Sequence, residues 1–172
     1  GMSVSTAGDV NGDGFDDLLI GASGADPDGK PQAGESYVVF GSGSGFSPSF
    51  DLDALDGGNG FRLIGIDGAD ASGTSVSTAG DINGDGLGDI LVGARYADPD
   101  GKSNAGESYV VFGSTGGFSA SLSLSSLDGN NGFRLDGVDE GDQSGVAVGR
   151  AGDVNGDGYD DILIGAFGAT RD

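Results

Sequence analysis

The 172-residue sequence has no cysteine, no histidine and no tryptophan, and it has seven lysine and arginine residues against 28 aspartate and glutamate residues. Without cysteine there are no disulfides, and without histidine the chain holds no Ser/His or Cys/His catalytic pair. The net charge of −21 argues against nucleic acids and anionic membrane surfaces as partners. No apolar run is long enough to cross a bilayer, so we expect no membrane insertion. No basic-then-apolar leader pattern opens the sequence.

Apolar residues are also scarce, at 35% of the chain, whereas glycine accounts for 38 residues. Weak hydrophobicity with high charge is typical of disorder, but this sequence is strongly repetitive. Residue n matches residue n+72 without a gap along almost the whole chain, as residues 3–8, 35–41 and 61–63 show. A fixed period predicts stacked units that bury their faces against one another. We divide the chain, about 2.4 units, into a first repeat at 2–60 without its lead-in strand, a complete second repeat at 61–132 and a truncated third repeat at 133–172.

A nine-residue acidic string occurs three times, at residues 9–17, 81–89 and 153–161. Each copy reads Asp-x-Asn-Gly-Asp-Gly-x-x-Asp, with oxygen-bearing side chains at positions 1, 3, 5 and 9 and glycine at position 6. A tight turn that aims several oxygens at one point is what a hard cation such as Ca²⁺ requires. The residue at position 7 varies, as a backbone carbonyl ligand would allow. An EF-hand would have glutamate at position 12, where this chain has Ile20, Val92 and Ile164.

Ordinary turn chemistry is the alternative interpretation of this string, because Asp, Asn and Gly are common turn residues. A single copy could be a polar hairpin loop. Three copies in the same register, each followed by the same kind of short apolar, β-rich run, favour a calcium loop that leads into a strand.

The apolar pattern predicts four strands in each unit and no helix. In the middle copy the strands lie near 74–79, 89–94 and 108–112, with a lead-in strand near 61–65. They are joined by the acidic loop, a turn around 98–102 and a Gly/Ser-rich connection at 114–131. A four-stranded unit that neighbours cover on both faces is typical of a propeller blade. We therefore predict an all-β fold, a partial β-propeller whose blades each have four antiparallel strands.

The sequence resembles the FG-GAP repeats that build the β-propeller of integrin α chains. The resemblance rests on Phe40-Gly41 and Phe112-Gly113, on the Gly-Ala pair after each acidic string, and on the strings themselves. It implies three Ca²⁺ sites, each between the first two strands of a blade and opposite the main ligand surface. It also implies an extracellular or cell-surface binding or adhesion role, with a protein or glycan as the partner.

The resemblance names the ligands of each site. Position 8, occupied by Asp16 and Asp160, is excluded because the middle copy has Gly88 there. The expected ligands are the side chains at positions 1, 3, 5 and 9 with the carbonyl at position 7: Asp9, Asn11, Asp13, Asp17 and Phe15; Asp81, Asn83, Asp85, Asp89 and Leu87; and Asp153, Asn155, Asp157, Asp161 and Tyr159.

Carboxylate pairs leave a second function class open, a propeller segment of a glycan-active hydrolase or lyase. Asp67/Asp70 and Asp139/Asp142 occur at equivalent positions of two repeats. Because an active site usually needs one asymmetric constellation, we expect these repeated pairs to be structural and the chain not to be an enzyme. We also expect self-association through open blade edges or faces, because a strand near 163–164 has no following partner in this sequence.

Overall fold

The computed structural model describes residues 1–170 and confirms the all-β fold. Eleven strands are joined by loops and four three-residue 3-10 turns. The strands are β1 (Ser3–Gly8), β2 (Asp17–Ala22), β3 (Glu35–Val39), β4 (Gly60–Ile64), β5 (Ser75–Gly80), β6 (Asp89–Ala94), β7 (Glu107–Val111), β8 (Ser121–Ser123), β9 (Gly132–Asp136), β10 (Ser144–Gly152) and β11 (Asp161–Ala166). With only three-residue turns as helical segments, the described part of the chain has no helix that could cross a bilayer.

The strands form three sheets with the period of the repeat, and the lead-in strand of the following unit completes each of the first two sheets. The first blade has the order β1-β2-β3-β4, with the short strand β8 added at its outer edge. The second blade has the order β5-β6-β7-β9, and the third blade contains β10 and β11. Neighbouring strands are antiparallel except for β4 and β8, which are parallel. These sheets are consistent with a partial propeller.

The inner strands β1, β5 and β10 of the three blades pack side by side. Hydrogen bonds join neighbouring blades here: Ser3 Oγ donates to the carbonyl of Gly73, just before β5, at 3.0 Å, and the Val148 amide of β10 donates to Ser75 Oγ of β5 at 3.0 Å. The main core fills the space between the first and second blades, and a smaller one lies between the second and third blades. Their largest members are Leu19, Phe61, Leu63, Ile90 and Tyr109 in the first core and Leu91 and Val110 in the second.

The connection at 114–131 contains more structure than the sequence predicted. Its β8 segment leaves the second blade and pairs with β4 of the first blade, with Arg62 opposite Ser121. The alternation of serine and leucine at 121–124 suits a half-buried strand, and Leu124 is 2% exposed. Three residues are too few to register as a strand in the sequence, so this link between blades became visible only in the structure.

Equivalent residues differ in burial according to their blade. Val76 is 6% exposed in the second blade, whereas Val4, its counterpart in the first blade, is 70% exposed. Likewise Leu91 is fully buried but Leu163, its counterpart in the third blade, is 63% exposed. The outer faces of the first and third blades are therefore apolar and open among the described residues.

Candidate metal centres

The three acidic loops occupy the same place in their blades, between the first and second strands: β1–β2, β5–β6 and β10–β11. The tight turn depends on glycine at position 6, since Gly86 has φ +85 and most other residues avoid that region. All three loops share one hydrogen-bonding pattern, so the predicted ligands of each loop stand at equivalent points. The middle loop illustrates the geometry.

The aspartate at position 1 organises the loop from its centre. Asp81 Oδ1 accepts from the Gly84 amide at 2.7 Å and the Asp85 amide at 3.1 Å, and its Oδ2 accepts from the Gly86 amide at 2.9 Å. Asp9 and Asp153 make the same three contacts in their own loops. One carboxylate thus accepts hydrogen bonds from three backbone amides, and the loop backbone surrounds it.

Positions 3 and 5 contribute a second layer of oxygens. Asn83 Oδ1 accepts from the Asp85 amide at 2.9 Å, and Asp85 Oδ1 accepts from the Leu87 amide at 2.9 Å. Each of these oxygens keeps a free lone pair after one hydrogen bond. Of the three position 7 side chains, Phe15 and Tyr159 are 45% and 48% exposed, and Leu87 is partly buried. The variety of side chains at position 7 agrees with a site in which the backbone carbonyl, and not the side chain, is the expected ligand.

The aspartate at position 9 ties the loop to the sheet. Asp89 is fully buried, and it accepts from the Ile82 amide at 2.8 Å and, at the end of β7, from the Gly113 amide at 2.9 Å. Asp17 makes the equivalent pair of bonds. Among the described residues, the Asp161 side chain accepts a hydrogen bond only from the Val154 amide. Sequence reasoning gave position 9 a ligand role and missed this anchoring role.

The electrostatics of position 9 fit a cation. Burial raises the pKa of Asp89 to about 6, the two amide hydrogen bonds lower it, and the charges of Asp85 and Asp81 raise it further. The pKa of Asp17 is raised to about 6 in the same way. Within residues 1–170, the ion pairs involve none of the predicted ligands. The predicted ligands therefore have no ion-pair partner among the described residues, although Asp160 at position 8 of the third loop pairs with Arg150. Their hard oxygen atoms are the ligands that Ca²⁺ prefers.

The carboxylates do not form a finished cage. In the part of the chain that the structure describes, no three acidic side chains converge closely enough to hold a metal ion together. Their oxygens are directed instead at the backbone amides of the loop and of the adjacent strand. The loops thus bring the predicted residues into the same turn, with donor chemistry that suits Ca²⁺, but without a preassembled coordination sphere.

Position 8 links neighbouring loops, a role that the sequence did not reveal. The Gly88 amide donates to the Asp9 carbonyl at 2.8 Å, and the Asp160 amide donates to the Asp81 carbonyl at 3.0 Å. Asp160 Oδ2 also accepts from the Asp81 amide at 2.8 Å, while its Oδ1 accepts from Arg150 Nη2 at 2.8 Å. These bonds lower the pKa of Asp160, the Asp81 amide having the largest effect. The three loops therefore form one connected row.

The carboxylate pairs lie at the opposite end of the strands, in the connections between blades. Asp70 Oδ2 accepts from the Asp67 amide at 3.2 Å, and Asp142 Oδ2 accepts from the Asp139 amide at 3.2 Å. Burial raises the pKa of Asp70 to about 6, and the Asp67 charge contributes to the shift. Both pairs thus stabilise turns. The first pair also borders a cavity of about 430 Å³ together with Asp98, Asp100, Glu107 and Arg134.

Comparisons with known proteins identify the repeat. The model of the FG-GAP repeat matches residues 1–39, 72–111 and 144–171, which is more than half of the chain. Integrin alpha-PS2 from Drosophila melanogaster is 33% identical over 99% of the chain, and integrin alpha-5 from Xenopus laevis is 31% identical over 98%. Phosphatidylinositol-glycan-specific phospholipase D from Bos taurus is 32% identical over 94%.

The chain spans only a small part of these relatives, 12% of integrin alpha-PS2, 15% of integrin alpha-5 and 18% of the phospholipase. The similarity therefore concerns the repeat and not the activity of either whole protein. The three matched segments recur at the period of the sequence, and each contains the first strands of one blade. The chain belongs to the FG-GAP repeat family.

Proposed function

We propose that the chain is a calcium-binding segment of a β-propeller that serves binding or adhesion outside the cell or at its surface. The observation that carries this proposal is the repeated loop, which places four oxygen-bearing side chains in one turn without a protein cation to balance them. Three such loops in one acidic chain suit three Ca²⁺ ions. The family resemblance to integrin α chains supports the extracellular setting.

Calcium would supply positive charge to loops whose predicted ligands have no ion-pair partner among the described residues. The side chains at positions 1, 3, 5 and 9 and the carbonyl at position 7 would hold it. Because the oxygens already accept hydrogen bonds from loop amides, we expect binding to complete a turn that is largely formed. Three ions would add six positive charges to a chain of net charge −21. Calcium is in this view a folding ligand that reduces repulsion in the row of linked loops.

The binding role requires a partner, for which we propose a protein or a glycan. The end of the strands opposite the calcium loops is the surface that the family resemblance assigns to ligands. Here it contains the acid-lined cavity, in which Arg134 lies 3.4 Å from Glu107. Such a surface would prefer basic groups on the partner, and long-range attraction would speed the encounter at low salt. Nucleic acid remains disfavoured for the same reason.

A second candidate is a propeller segment within a hydrolase, favoured by the 32% identity to phosphatidylinositol-glycan-specific phospholipase D. In that case the chain would support the enzyme without performing the chemistry. The repeated residues Asp70 and Asp142 accept hydrogen bonds from backbone amides of their own turns. Because the pair occurs in two repeats, the described residues offer no single, unique acid–base pair. We propose that this chain is not itself catalytic.

The test of calcium binding is a thermal denaturation series with calcium and with excess chelator. At a hundredfold excess over Kd, each occupied site stabilises the fold by about 2.7 kcal/mol. For a chain of this size that corresponds to a rise in Tm of about 5–10 °C per site. Asp13→Ala should remove the contribution of the first loop. Asp16→Gly is the matched control, because the second loop has Gly88 naturally at that position. An identical melt in calcium and in chelator would contradict the proposal.

We also propose that the chain self-associates through its open blade faces. Leu18 on the first blade and Leu163 on the third blade are 47% and 63% exposed. Their counterparts Ile90 and Leu91 are buried between blades. A head-to-tail contact would bury one face of each kind, so Leu18→Lys and Leu163→Lys should each weaken it. Sedimentation in millimolar calcium measures this. A folded monomer at all micromolar concentrations would exclude it.

A further inference from the structure

The third acidic loop (153–161) holds the backbone of the second (81–89) at one residue, Asp81. The Asp160 amide donates to the Asp81 carbonyl at 3.0 Å, and Asp160 Oδ2 accepts from the Asp81 amide at 2.8 Å. One residue of the neighbouring loop therefore binds both backbone groups of Asp81. The Asp81 side chain is at the same time the acceptor of the three amides that shape its own loop. The contact thus reaches the central residue of the second loop.

The Asp160 carboxylate fits closely against the second blade. Its side chain is only 13% exposed, and a methyl group on Gly80 would overlap it. From the other side, Arg150 Nε and Nη2 both donate to Asp160 Oδ1, at 2.9 Å and 2.8 Å. Arg150 thereby orients the carboxylate toward Asp81 and balances its charge.

A second contact joins the same two loops. The Tyr159 ring packs against Gly84, where an added methyl group would stand 2.5 Å from the ring atom Cε1. The Gly84 amide in turn donates to Asp81 Oδ1 at 2.7 Å. Tyr159 and Asp161 are the expected ligands at positions 7 and 9 of the third loop. Asp160, which binds the backbone of Asp81, stands between these two residues in the chain.

The first and second loops are joined without the side-chain part of this contact. Gly88 takes the place of Asp160, and its amide donates to the Asp9 carbonyl at 2.8 Å. Gly88 has no carboxylate that could accept from the Asp9 amide. Thr78 takes the place of Arg150, and its Oγ1 accepts from an amide of its own strand at 3.1 Å. Asp160 and Arg150 therefore occur together in the third repeat, and the second repeat lacks both.

We propose that Asp160 is a positioning residue that couples calcium binding in the third loop to calcium binding in the second. This inference rests on the calcium binding proposed above. When Tyr159 and Asp161 hold an ion in the third loop, the backbone between them is fixed, and Asp160 is fixed with it. Asp81 then meets an ordered partner, so the second loop loses less conformational entropy when it binds its own ion. By linkage, occupancy of the second loop strengthens binding in the third by the same factor.

Glycine amides report on each loop separately. The position 6 glycine of each loop donates its amide to the position 1 aspartate, and these glycines are Gly14, Gly86 and Gly158. Their chemical shifts are followed by NMR while calcium is added to the calcium-free protein. The titration yields one Kd for each loop.

Asp157→Asn empties the third loop selectively. It removes a negative ligand but keeps an oxygen for the Tyr159 amide, which Asp157 Oδ1 accepts at 3.0 Å. We expect this variant to raise the Kd of the second loop at least about fivefold, at the lower end of typical couplings between sites. The Kd of the first loop should change less than about twofold, because no side chain bridges the first and second loops as Asp160 bridges the second and third.

A double-mutant cycle shows whether Asp160 carries the effect. Asp160→Gly gives the third loop the residue that the second loop has at Gly88. In that background Asp157→Asn should leave the Kd of the second loop unchanged. Asp16→Gly is the matched control, because Asp16 is exposed at the same position of the first loop, and it should preserve the fivefold effect. The dispersion of the amide shifts verifies that each variant is folded.

Reciprocity provides a test through the other loop. Asp85→Asn empties the second loop and should raise the Kd of the third loop by the same factor. The coupling is overturned if the Kd of the second loop is equal or lower in Asp157→Asn, if the effect persists in Asp160→Gly, or if Asp85→Asn leaves the third loop unaffected. A native protein in which none of the three glycines shifts would instead refute calcium binding itself, and the coupling with it.

Discussion

Removing the ring of Phe118 should loosen the contact between the first two blades. A fully buried Phe→Ala change costs about 3–5 kcal/mol. Phe118 is partly buried against the main core, so at least half of that loss applies, with about 0.5–1.5 kcal/mol more for the ring stacking on Phe61. We expect Phe118→Ala to cost about 2–4 kcal/mol, or about 4–16 °C in Tm for a chain of this length.

Phe46→Ala provides the matched control, because Phe46 is the counterpart of Phe118 one repeat earlier. Its ring is 59% exposed and its aromatic neighbour is Phe50, with centroids 6.3 Å apart. The same chemical change should therefore cost less than about 0.5 kcal/mol. Both variants are measured by urea and thermal denaturation in calcium, at a concentration where sedimentation shows the same oligomeric state for each.

Amide exchange gives the local readout. The Arg62 amide donates to the Ala120 carbonyl, so its protection should fall in Phe118→Ala and stay unchanged in Phe46→Ala. Equal losses of stability for the two variants would refute the reasoning. So would a destabilised Phe118→Ala protein in which Arg62 exchanges as slowly as before, because the ring would then stabilise the fold without holding the strand.

Three further predictions follow from single features of the structure. Gly57→Ala should destabilise more than Gly129→Ala in urea denaturation, since both share the strain of positive φ but only the first clashes with Phe118; equal effects would contradict the docked geometry. Magnesium should raise Tm much less than calcium at equal concentration, because it demands a smaller octahedral shell; equal effects would count against the ligand set. The Asp70 pKa of about 6 lies above its unfolded value, so ionised Asp70 lowers stability as pH rises from about 4 to 6. The urea midpoint of Asp70→Asn relative to the native protein should rise over that range, and a constant difference would contradict the shift.

The sequence predicted the strands well because each carries a strong local signal. The predicted strand at 89–94 coincides with β6, and those near 74–79, 108–112 and 61–65 lie within one residue of β5, β7 and β4. Continuous apolar runs and flanking Asp-Gly turns set these limits. The strand β8 was missed because its three residues have little propensity of their own. It exists because Phe118 anchors the segment and β4 offers an edge.

The sequence was less informative about what the loop residues do. Spacing indicated oxygen ligands at positions 1, 3, 5 and 9, and the structure places all of them in one turn, while calcium binding stays a prediction. Spacing could not show that Asp89 anchors β7 through Gly113 or that Asp160 ties its loop to Asp81. These contacts join residues that are 24 and 79 positions apart in the chain. Only the packing of strands and blades brings them together.

Because the sequence repeats, the same residue type can be compared at the same strand position in two different surroundings. Val4 and Val76 have the same local sequence and strand position, yet one is 70% and the other 6% exposed. The difference comes from the neighbouring blade alone. In stacked repeats the free energy of unfolding is the sum of contributions from the single repeats and from the interfaces between them. An uncovered blade face therefore lacks the contribution of one interface.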